Sequence, residues 1–444
     1  MDGVAEKRRD LRPLWAGLAL GLATFVSLLA LDRPLVRGDG LAYYMWLNPV
    51  AVDFSFDLAP VAQRFSSVND YQIFRPPSGG YASAFSFGPA ALLAPWYRLA
   101  LLLPEASGVD LSHYRQYQGD GFVSSFFVML GSNAYLLLAV LLAYKTALAL
   151  THVPWASAAA AFSLLWATPL LYYGTIEPYM AHATGTFLLA LVLWLYCRPK
   201  VRWLWLGVAL SVAIVVRWQL ALVALPMVAL LLWSRDWGGI VRLGVGTATL
   251  VWLVPLSWWS MFGSPFVVPA AVQNQSPFLG WPEHSLDVLA SAKRGLFIWS
   301  PLALVATVGL FVLRRREKRL ASVALVACFL EVLINGSVQD WNAGWAFGMR
   351  RLTELYPFFV CGLAALLALP GRWRWPAWGL SGATAALGVA LLFAHLTYAN
   401  VVAGHGATAP EELAYWLGTW RTPRLTWQVV KEHYGPWAWI KPGP

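Results

Sequence analysis

The acidic residue best placed for chemistry is Asp39, in the segment Arg37-Gly38-Asp39-Gly40. This segment follows the first long apolar run of the chain. Glycines on both sides allow the backbone to turn sharply and let a substrate approach closely. A carboxylate there could take a proton from a substrate hydroxyl. The alternative is that Asp39 only caps a helix beginning at Leu41, because Asp is a favoured N-cap residue.

A second acid lies in a short turn between two later apolar runs. Glu177 precedes Pro178, and His182 follows inside the next run. An ionised group at mid-depth in a membrane costs roughly 2.5 kcal/mol or more, so such residues tend to be functional. The alternative for Glu177 is an acid that interacts favourably with the N-terminal dipole of the following helix.

Three basic positions stand out because they oppose the expected charge asymmetry of a membrane protein. Arg217 interrupts an apolar run with no acid nearby in sequence, and Lys293-Arg294 and Arg350-Arg351 lie where predicted outer loops re-enter the membrane. Basic residues normally favour the cytoplasmic side. Arg217 could hold a phosphate, although a snorkelling arginine is the alternative. An anionic, lipid-linked ligand would account for all three positions.

The elements that must position these residues are membrane helices. Of the 444 residues, 59% are hydrophobic and 12% are charged, against roughly a quarter charged in a soluble domain. The mean hydropathy is +0.56. The net charge of +10 comes from short basic runs between apolar stretches, which indicates membrane orientation and not nucleic-acid binding. Cys197, Cys328 and Cys361 form no Cys-x-x-Cys pair and are interpreted as small buried hydrophobes.

Apolar length and the positions of basic clusters predict an all-α polytopic membrane protein with about eleven transmembrane helices. The N-terminus is predicted to be cytoplasmic and the C-terminus to be outside, with short basic loops only on the inner side. The predicted spans are 14–31, 121–144, 155–173, 178–196, 203–216, 219–233, 240–259, 295–313, 320–336, 355–370 and 377–396.

Two stretches need separate treatment. Ala90 to Leu103 is too short for a normal span and is predicted to be a juxtamembrane helix in the outer interface. The run from Trp203 to Trp233 has basic residues at both ends, so it is predicted to cross and return as two short helices that meet near Arg217 and Trp218. Interrupted helices in membranes often line binding cavities.

These spans predict one transmembrane catalytic domain, 1–396, with a long first outer loop at about 32–120. A short tail, 397–444, is predicted to lie on the outer face. No zinc motif or Walker-type phosphate loop is present in the sequence. The sequence therefore points to no particular cofactor. A divalent cation could be gathered by acids and histidines such as Asp53, Glu177, His182 and His284, but no spacing requires it.

Several motifs together resemble GT-C glycosyltransferases, and most closely bacterial members of the protein O-mannosyltransferase and lipid A aminoarabinosyltransferase group. The motifs share the order and the sidedness of that group and span nearly the whole chain. They are Arg37-Gly38-Asp39-Gly40 with Tyr43-Tyr44, Phe85-Ser86-Phe87-Gly88-Pro89-Ala90, Glu177-Pro178 with His182, Val216-Arg217-Trp218-Gln219, Ser291-Ala292-Lys293-Arg294-Gly295-Leu296-Phe297, and Gly344-Trp345-Ala346-Phe347-Gly348-Met349-Arg350-Arg351.

The resemblance implies a GT-C-like fold and a sugar taken from a polyprenyl-phosphate carrier at the outer face. It implies that Asp39 is the general base and that Glu177 is a second acid of the cavity. Arg217-Trp218 stands where the family usually has a basic residue followed by glycine. The candidate groups that bind substrate or lipid phosphate are Arg37, Tyr43, Tyr44, His182, Arg217, His284, Lys293, Arg294, Asp340, Arg350 and Arg351.

The partners expected are a polyprenyl-phosphate-linked sugar, a glycan, lipid or protein acceptor, and membrane lipids, without nucleic acid. The expected location is the plasma (inner) membrane, with the active site on the periplasmic or extracellular side. A transporter or flippase is the alternative, although such proteins usually show internal repeats and short loops on both sides. A non-catalytic assembly subunit is a third possibility, for which loss of the first-loop acid would be the sign.

Overall fold

The computed structural model describes residues 10–64, 72–107, 121–344, 346–401, 426–429 and 431. These residues form helices and loops without a strand, so the all-α prediction is confirmed. Lys7, Arg8 and Arg9, on which the prediction of a cytoplasmic N-terminus partly depends, lie outside the described residues, as do part of the predicted first outer loop and most of the predicted tail. The helices are α1 Arg12–Leu31, α2 Gly38–Tyr44, α3 Ala59–Arg64, α4 Gly88–Ser107, α5 Gly121–Thr151, α6 Pro154–Ala167, α7 Leu170–Thr175, α8 His182–Tyr196, α9 Trp203–Val216, α10 Ala224–Trp233, α11 Trp237–Val251, α12 Leu253–Phe262, α13 Pro269–Asn274, α14 Ser285–Ala290, α15 Leu296–Trp299, α16 Pro301–Leu313, α17 Lys318–Gly336, α18 Tyr356–Leu367 and α19 Arg374–Val401.

Three of these helices are joined to shorter turns that matter for the site. A π-helical turn, Pro49–Asp53, follows α2, and 3₁₀ turns, Trp218–Val223 and Arg350–Leu355, precede α10 and α18. A further 3₁₀ turn, Gly371–Trp373, leads into α19.

The chain is an integral membrane protein. Among the described residues, five helical segments are long and apolar enough to cross a membrane: Arg12–Leu31, Gly121–Thr151, Trp237–Phe262, Lys318–Gly336 and Gly371–Thr397. Shorter apolar helices of 10–17 residues lie between them. The exact number of spans and their sidedness stay predictions, as does the interfacial position of α4.

The predicted interruption near Arg217 is confirmed. α9 ends at Val216, Arg217 has extended backbone (φ −145°, ψ 106°), and the 3₁₀ turn starts at Trp218. A broken helix leaves carbonyls without their usual partners, which must be satisfied locally. The Ser86 hydroxyl donates to the Val216 carbonyl (2.5 Å), and Gly88 lets the start of α4 contact the backbone of Val215 directly. The Phe85–Ala90 motif therefore holds the helix break in place.

Small residues permit the closest helix contacts, as expected where lipid supplies no hydrophobic drive for helices to associate. Gly207 of α9 faces Gly246 of α11, and a Cβ on either would collide with the backbone of the other helix. Gly309 of α16 and Gly362 of α18 do the same. These pairs bring together the helices that flank the polar residues described next.

The C-terminal end of α1 is fixed by a buried polar pair. The Asn133 amide of α5 donates to the Asp32 carboxylate (2.6 Å), and Asp32 is completely buried. The Arg33 amide donates to the Thr175 carbonyl at the end of α7 (3.1 Å). The short segment from Asp32 to Arg37 therefore starts from a rigid point, which sets where α2 and Asp39 lie.

Candidate functional site

Asp39 faces a guanidinium that the sequence places more than three hundred residues away. Its Oδ2 accepts from Nη2 of Arg350 at 2.7 Å, and the side chains of Asp39 and Arg350 remain 20% and 18% exposed. Gly38 has φ +53°, a backbone conformation that favours glycine. The turn at Gly38 and the 3₁₀ turn at Arg350 together present the pair at a partly open surface.

The structure removes the alternative that Asp39 is only a helix cap. α2 begins at Gly38 and its N-cap residue is Arg37, so Asp39 lies in the first turn and its side chain reaches Arg350 instead. The predicted helix start at Leu41 was therefore wrong. Charge complementarity with the helix N-terminus remains available to Asp39, but it is compatible with the ion pair.

Glu177 forms a second pair next to the first. Nε of Arg37 donates to Oε1 of Glu177 at 2.6 Å, and the Glu177 side chain is 13% exposed. Oε2 of Glu177 lies near Gly40, in the same turn as Asp39. The following helix starts only at His182, so Glu177 is not the N-terminal acid of α8. Burial raises the pKa of the Glu177 carboxyl, although the charge and hydrogen bond of Arg37 oppose this shift.

A buried network lies behind these two pairs. Oε1 of Glu354 accepts from Nη1 of Arg217 at 2.8 Å and contacts Nδ1 of His182 at 2.9 Å. The same Nη1 lies 2.9 Å from Nδ1 of His182. Gly185 of α8 makes room for the Glu354 side chain, since a Cβ at Gly185 would lie only 3.0 Å from that side chain. Burial alone would raise the pKa of the Glu354 carboxyl, but the charge of Arg217, the contact with His182 and a backbone hydrogen bond together outweigh burial and hold that pKa below its ordinary value.

Amide groups extend the buried network toward α17. Nη2 of Arg217 donates to Oε1 of Gln219 (2.9 Å), and Nε2 of Gln219 donates to the Arg351 carbonyl (2.8 Å) and to Glu331 (3.2 Å). Glu331 is 1% exposed and also accepts from Asn335. The Arg217 guanidinium is therefore held by Glu354, His182 and Gln219, and the Arg217 side chain is 11% exposed.

The neighbouring residues Tyr43 and Tyr44 have different surroundings. Burial raises the pKa of the Tyr43 hydroxyl, and the charges of Arg217, Asp39, Arg350 and Glu354 all act on it. Tyr44 is 3% exposed and packs edge-on against Tyr97 and Tyr179. The Tyr44 ring thus belongs to an aromatic core beneath α2, and its role in substrate binding stays a prediction.

The other predicted binding residues contact groups outside the two open pairs. His284 contacts Asp287 (3.1 Å) and stacks on Trp341, and Lys293 is exposed. Arg294 is 3% exposed, donates to the carbonyls of Lys293 and Gly344, and lies over the ring of Trp299. These contacts show Arg294 bracing two loops. Nη2 of Arg351 pairs with Oδ1 of Asp340 at 2.6 Å.

The acids and histidines considered for a divalent cation do not gather. Asp53 lies beside Asn48 (3.2 Å), Glu177 pairs with Arg37, His182 with Glu354, and His284 with Asp287. Within the described part of the chain, no group of three His, Cys, Asp or Glu residues could hold a metal ion.

Sequence reasoning missed Glu331 and Glu354, the two acids of the buried network. Glu331 lies within the apolar run of α17, and an acid inside a span is a recognised signal of function. Glu354 follows Arg351 by three residues in a turn whose 3₁₀ form the sequence does not announce. Its partner Arg217 is 137 residues away.

Crystal structures of ArnT from Cupriavidus metallidurans show structural similarity to this chain. The structure bound to undecaprenyl phosphate aligns with a TM-score of 0.47 and 14% identity, and the apo structure with 0.48 and 15%. Each alignment covers 96% of this chain and 78% of that chain. No family model and no curated protein matches the sequence.

Proposed function

We propose that this protein is a membrane glycosyltransferase that moves a hexosyl or pentosyl group from a polyprenyl-phosphate donor to an acceptor hydroxyl. The reaction takes place at the outer face of the plasma membrane, which is the periplasmic or extracellular side. The single observation that carries the proposal is the partly exposed Asp39–Arg350 pair beside the Glu177–Arg37 pair.

Asp39 is the general base in this proposal. The acceptor oxygen forms a bond to the anomeric carbon of the sugar, the bond from that carbon to the phosphate oxygen breaks, and the electron pair leaves with the polyprenyl phosphate. Asp39 takes the acceptor proton. Its ion pair uses Oδ2, so Oδ1 is the oxygen assigned to the acceptor. A single displacement inverts the anomeric centre.

Arg350 is the group that holds the leaving phosphate. A guanidinium has several N–H donors in a planar fork, so Arg350 can orient Asp39 with Nη2 and still donate to a phosphate oxygen. Such charge-assisted bonds match phosphate geometry. Cations fixed where charge develops in the transition state supply the largest contributions to many enzymatic rates.

The scarcity of other catalytic groups suits this reaction. A departing phosphate is a weak base and needs no proton from a strong general acid, unlike the leaving group in a glycosidase with two carboxylates. One base and nearby cations are sufficient. Glu177 lies next to Gly40, the residue after Asp39, and pairs with Arg37. This pair is assigned to hold the acceptor, so that the acceptor approaches Asp39 from the outer side.

The test is a transfer assay with the purified chain in vesicles supplied with undecaprenyl-phosphate-linked sugar and a soluble acceptor alcohol. Asp39→Asn keeps the shape and removes the base, so the transfer rate is expected to fall about 100- to 10,000-fold. Asp53→Asn is the matched control, because Asp53 is an exposed acid of the same predicted loop, and it should leave the rate unchanged.

Two results would overturn the proposal. Full transfer by Asp39→Asn would remove the base from the mechanism. Movement of an intact labelled lipid-linked sugar across the vesicle bilayer by the wild type, with no transfer to any acceptor, would favour the transporter alternative.

A further inference from the structure

A cavity of about 230 Å³ lies beside the buried network, and Gln219 and Arg351 are among the residues that line it. It is bounded by the helix break at Trp218 and Gln219, by Trp258 of α12 and by Asn335 near the end of α17. The loop from Val267 to Leu279 closes it. Nothing in the catalytic proposal above uses this space.

The loop that closes the cavity is fixed to α17 by backbone hydrogen bonds. Leu279 forms an antiparallel bridge with Val338, the Gly280 amide donates to the Ser337 carbonyl (2.7 Å), and the Gln339 amide donates to the Phe278 carbonyl (3.2 Å). The cavity is therefore preformed, as ligand pockets usually are.

One end of the cavity is polar and built from positioned groups. Gln219 is held between Arg217 and the Arg351 carbonyl, and Asn335 donates to the Glu331 carbonyl (2.7 Å). Arg351 pairs with Asp340 through Nη2, while its Nη1 is buried and has no hydrogen-bond partner among the described residues. A buried donor without a partner costs about 1–3 kcal/mol, which points to a ligand that accepts from it.

The remaining walls are aromatic and aliphatic. Trp218, Trp258 and Phe278 line them, together with valine and proline side chains. Aromatic faces suit the C–H groups of a sugar ring, while the polar groups at the other end suit its hydroxyls. An engineered cavity of about 150 Å³ holds one benzene ring, so this somewhat larger space fits one substituted six-membered ring.

The charge of the lining selects among such rings. Arg351 is cationic, and none of the described residues that line the cavity carries a carboxylate. The two acids that contact lining residues, Asp340 and Glu331, are already engaged by Arg351 and by Gln219 and Asn335. A ring bearing an ammonium group would therefore meet the like charge of Arg351 with no carboxylate in the lining to pair with it. A ring bearing only hydroxyls would accept from Arg351 and exchange hydrogen bonds with the two amides.

Chain continuity links the cavity to the proposed catalytic pair. Arg350, which pairs with Asp39, and Arg351, which reaches the cavity, are consecutive residues of one 3₁₀ turn. Their Cα atoms are therefore only about 3.8 Å apart. A ligand whose phosphate binds Arg350 and whose ring lies against Arg351 spans a single short turn.

We infer that this cavity binds the sugar ring of the lipid-linked donor, and that it selects an uncharged pyranose over a cationic amino sugar. The inference rests on the proposed function for the identity of the donor. It adds Trp258, Asn335 and Arg351 as residues that determine sugar specificity.

The test measures binding, so it does not depend on turnover. The full chain in nanodiscs is titrated with undecaprenyl phosphate, with the same carrier bearing glucose, and with the carrier bearing aminoarabinose. Trp258→Ala should weaken binding of the glucose-bearing carrier about tenfold through loss of one aromatic contact, and should leave the bare carrier unchanged. Trp258→Phe should restore most of the affinity.

Trp259→Ala is the matched control, because Trp259 is the next residue of α12, is 62% exposed and does not line the cavity. It should alter neither affinity. If Trp258→Ala weakened binding of all three ligands equally, the cavity would be assigned to the isoprenoid chain and the inference would be overturned. Unchanged affinities in Trp258→Ala would also overturn it, as would tighter binding of the aminoarabinose carrier than of the glucose carrier by the wild type. Selective binding of the glucose carrier without any transfer would leave this inference standing and would count against the proposed function alone.

Discussion

The open Asp39–Arg350 pair and the buried network both take a residue from one 3₁₀ turn, Arg350–Leu355, yet they differ in access to solvent. The Asp39–Arg350 pair keeps about a fifth of each side chain exposed, whereas Glu354 and His182 in the buried network are 2% and 3% exposed. The open pair is carried by a short loop helix and a 3₁₀ turn, and the buried network joins α8, the helix break and the turn before α18.

This difference in exposure distinguishes groups that can react from groups whose role is structural. A carboxylate at a partly open surface can meet an acceptor and change its protonation. A carboxylate enclosed by a guanidinium and an imidazole has little access to either, and losing its partner leaves a buried charge uncompensated. In the proposed function, Arg217 is a structural residue of the buried network, and Arg350 is the residue of the open pair that meets the donor phosphate.

The largest effect is expected from breaking the buried network. Glu354→Ala leaves the Arg217 guanidinium buried without its carboxylate, which costs about 3–5 kcal/mol of unfolding free energy. Thermal unfolding in nanodiscs measures the loss. The double variant Glu354→Leu with Arg217→Met should recover much of the stability, and equal damage in the single and double variants would contradict the assignment.

A somewhat smaller effect, on rate and not on stability, is expected at the open pair. Arg350→Ala removes one fixed donor to the leaving phosphate, which should lower the transfer rate about 100- to 1,000-fold with little change in the unfolding temperature. Arg315→Ala, at an exposed arginine of the predicted inner side, is the control. A large loss of stability without a selective loss of the transfer rate would show that Arg350 has a structural and not a catalytic role.

A third, more moderate effect, on the free energy of unfolding, is expected from filling the space at Gly185. Gly185→Ala introduces a methyl group 3.0 Å from the Glu354 side chain, and overpacking of this kind costs about 1–3 kcal/mol. Gly244→Ala, in α11 with nothing within 4 Å of the added carbon, should be neutral or slightly stabilising in the same unfolding measurement. Equal effects of the two substitutions would show that the network tolerates displacement.

The smallest effect concerns pH and Glu177. Burial raises the pKa of this carboxyl above its ordinary value, so between the two values the unfolded chain has released a proton that the folded chain still holds. Stability due to Glu177 is then full below about pH 4.5 and falls as the pH rises toward the folded pKa. Glu177→Gln should flatten this part of the pH profile of unfolding, and Glu317→Gln, at an exposed acid, should not. An unchanged profile in Glu177→Gln would mean that the carboxyl titrates normally.

The sequence predicted the elements that depend on local pattern. Apolar length and basic flanks are local properties, and they predicted the all-α class, the helix at Ala90 to Leu103 and the break at Arg217. The exceptional residues Asp39, Glu177, Arg217 and Arg350 were also identified, because charges near apolar runs are visible one residue at a time.

Pairing could not be predicted, because it depends on contacts across most of the chain. Arg217 has no acid nearby in sequence, and its partner Glu354 comes from a distant turn. Arg294 and Tyr44 have the residue types of binding groups, yet one braces two loops and the other packs in an aromatic core. Whether a polar side chain faces a cavity or a neighbouring helix is decided by packing that composition does not encode.

The central claim is that the open pair, and not the helix-break arginine, receives the donor phosphate. An experimental structure of the wild-type chain in nanodiscs with undecaprenyl phosphate tests it most directly. The phosphate is expected within hydrogen-bond distance of Arg350 and beside the Asp39 carboxylate, with the Arg217–Glu354 contact of 2.8 Å intact. A phosphate bound by Arg217 or Arg294, or an Asp39 side chain turned away from it, would contradict the account.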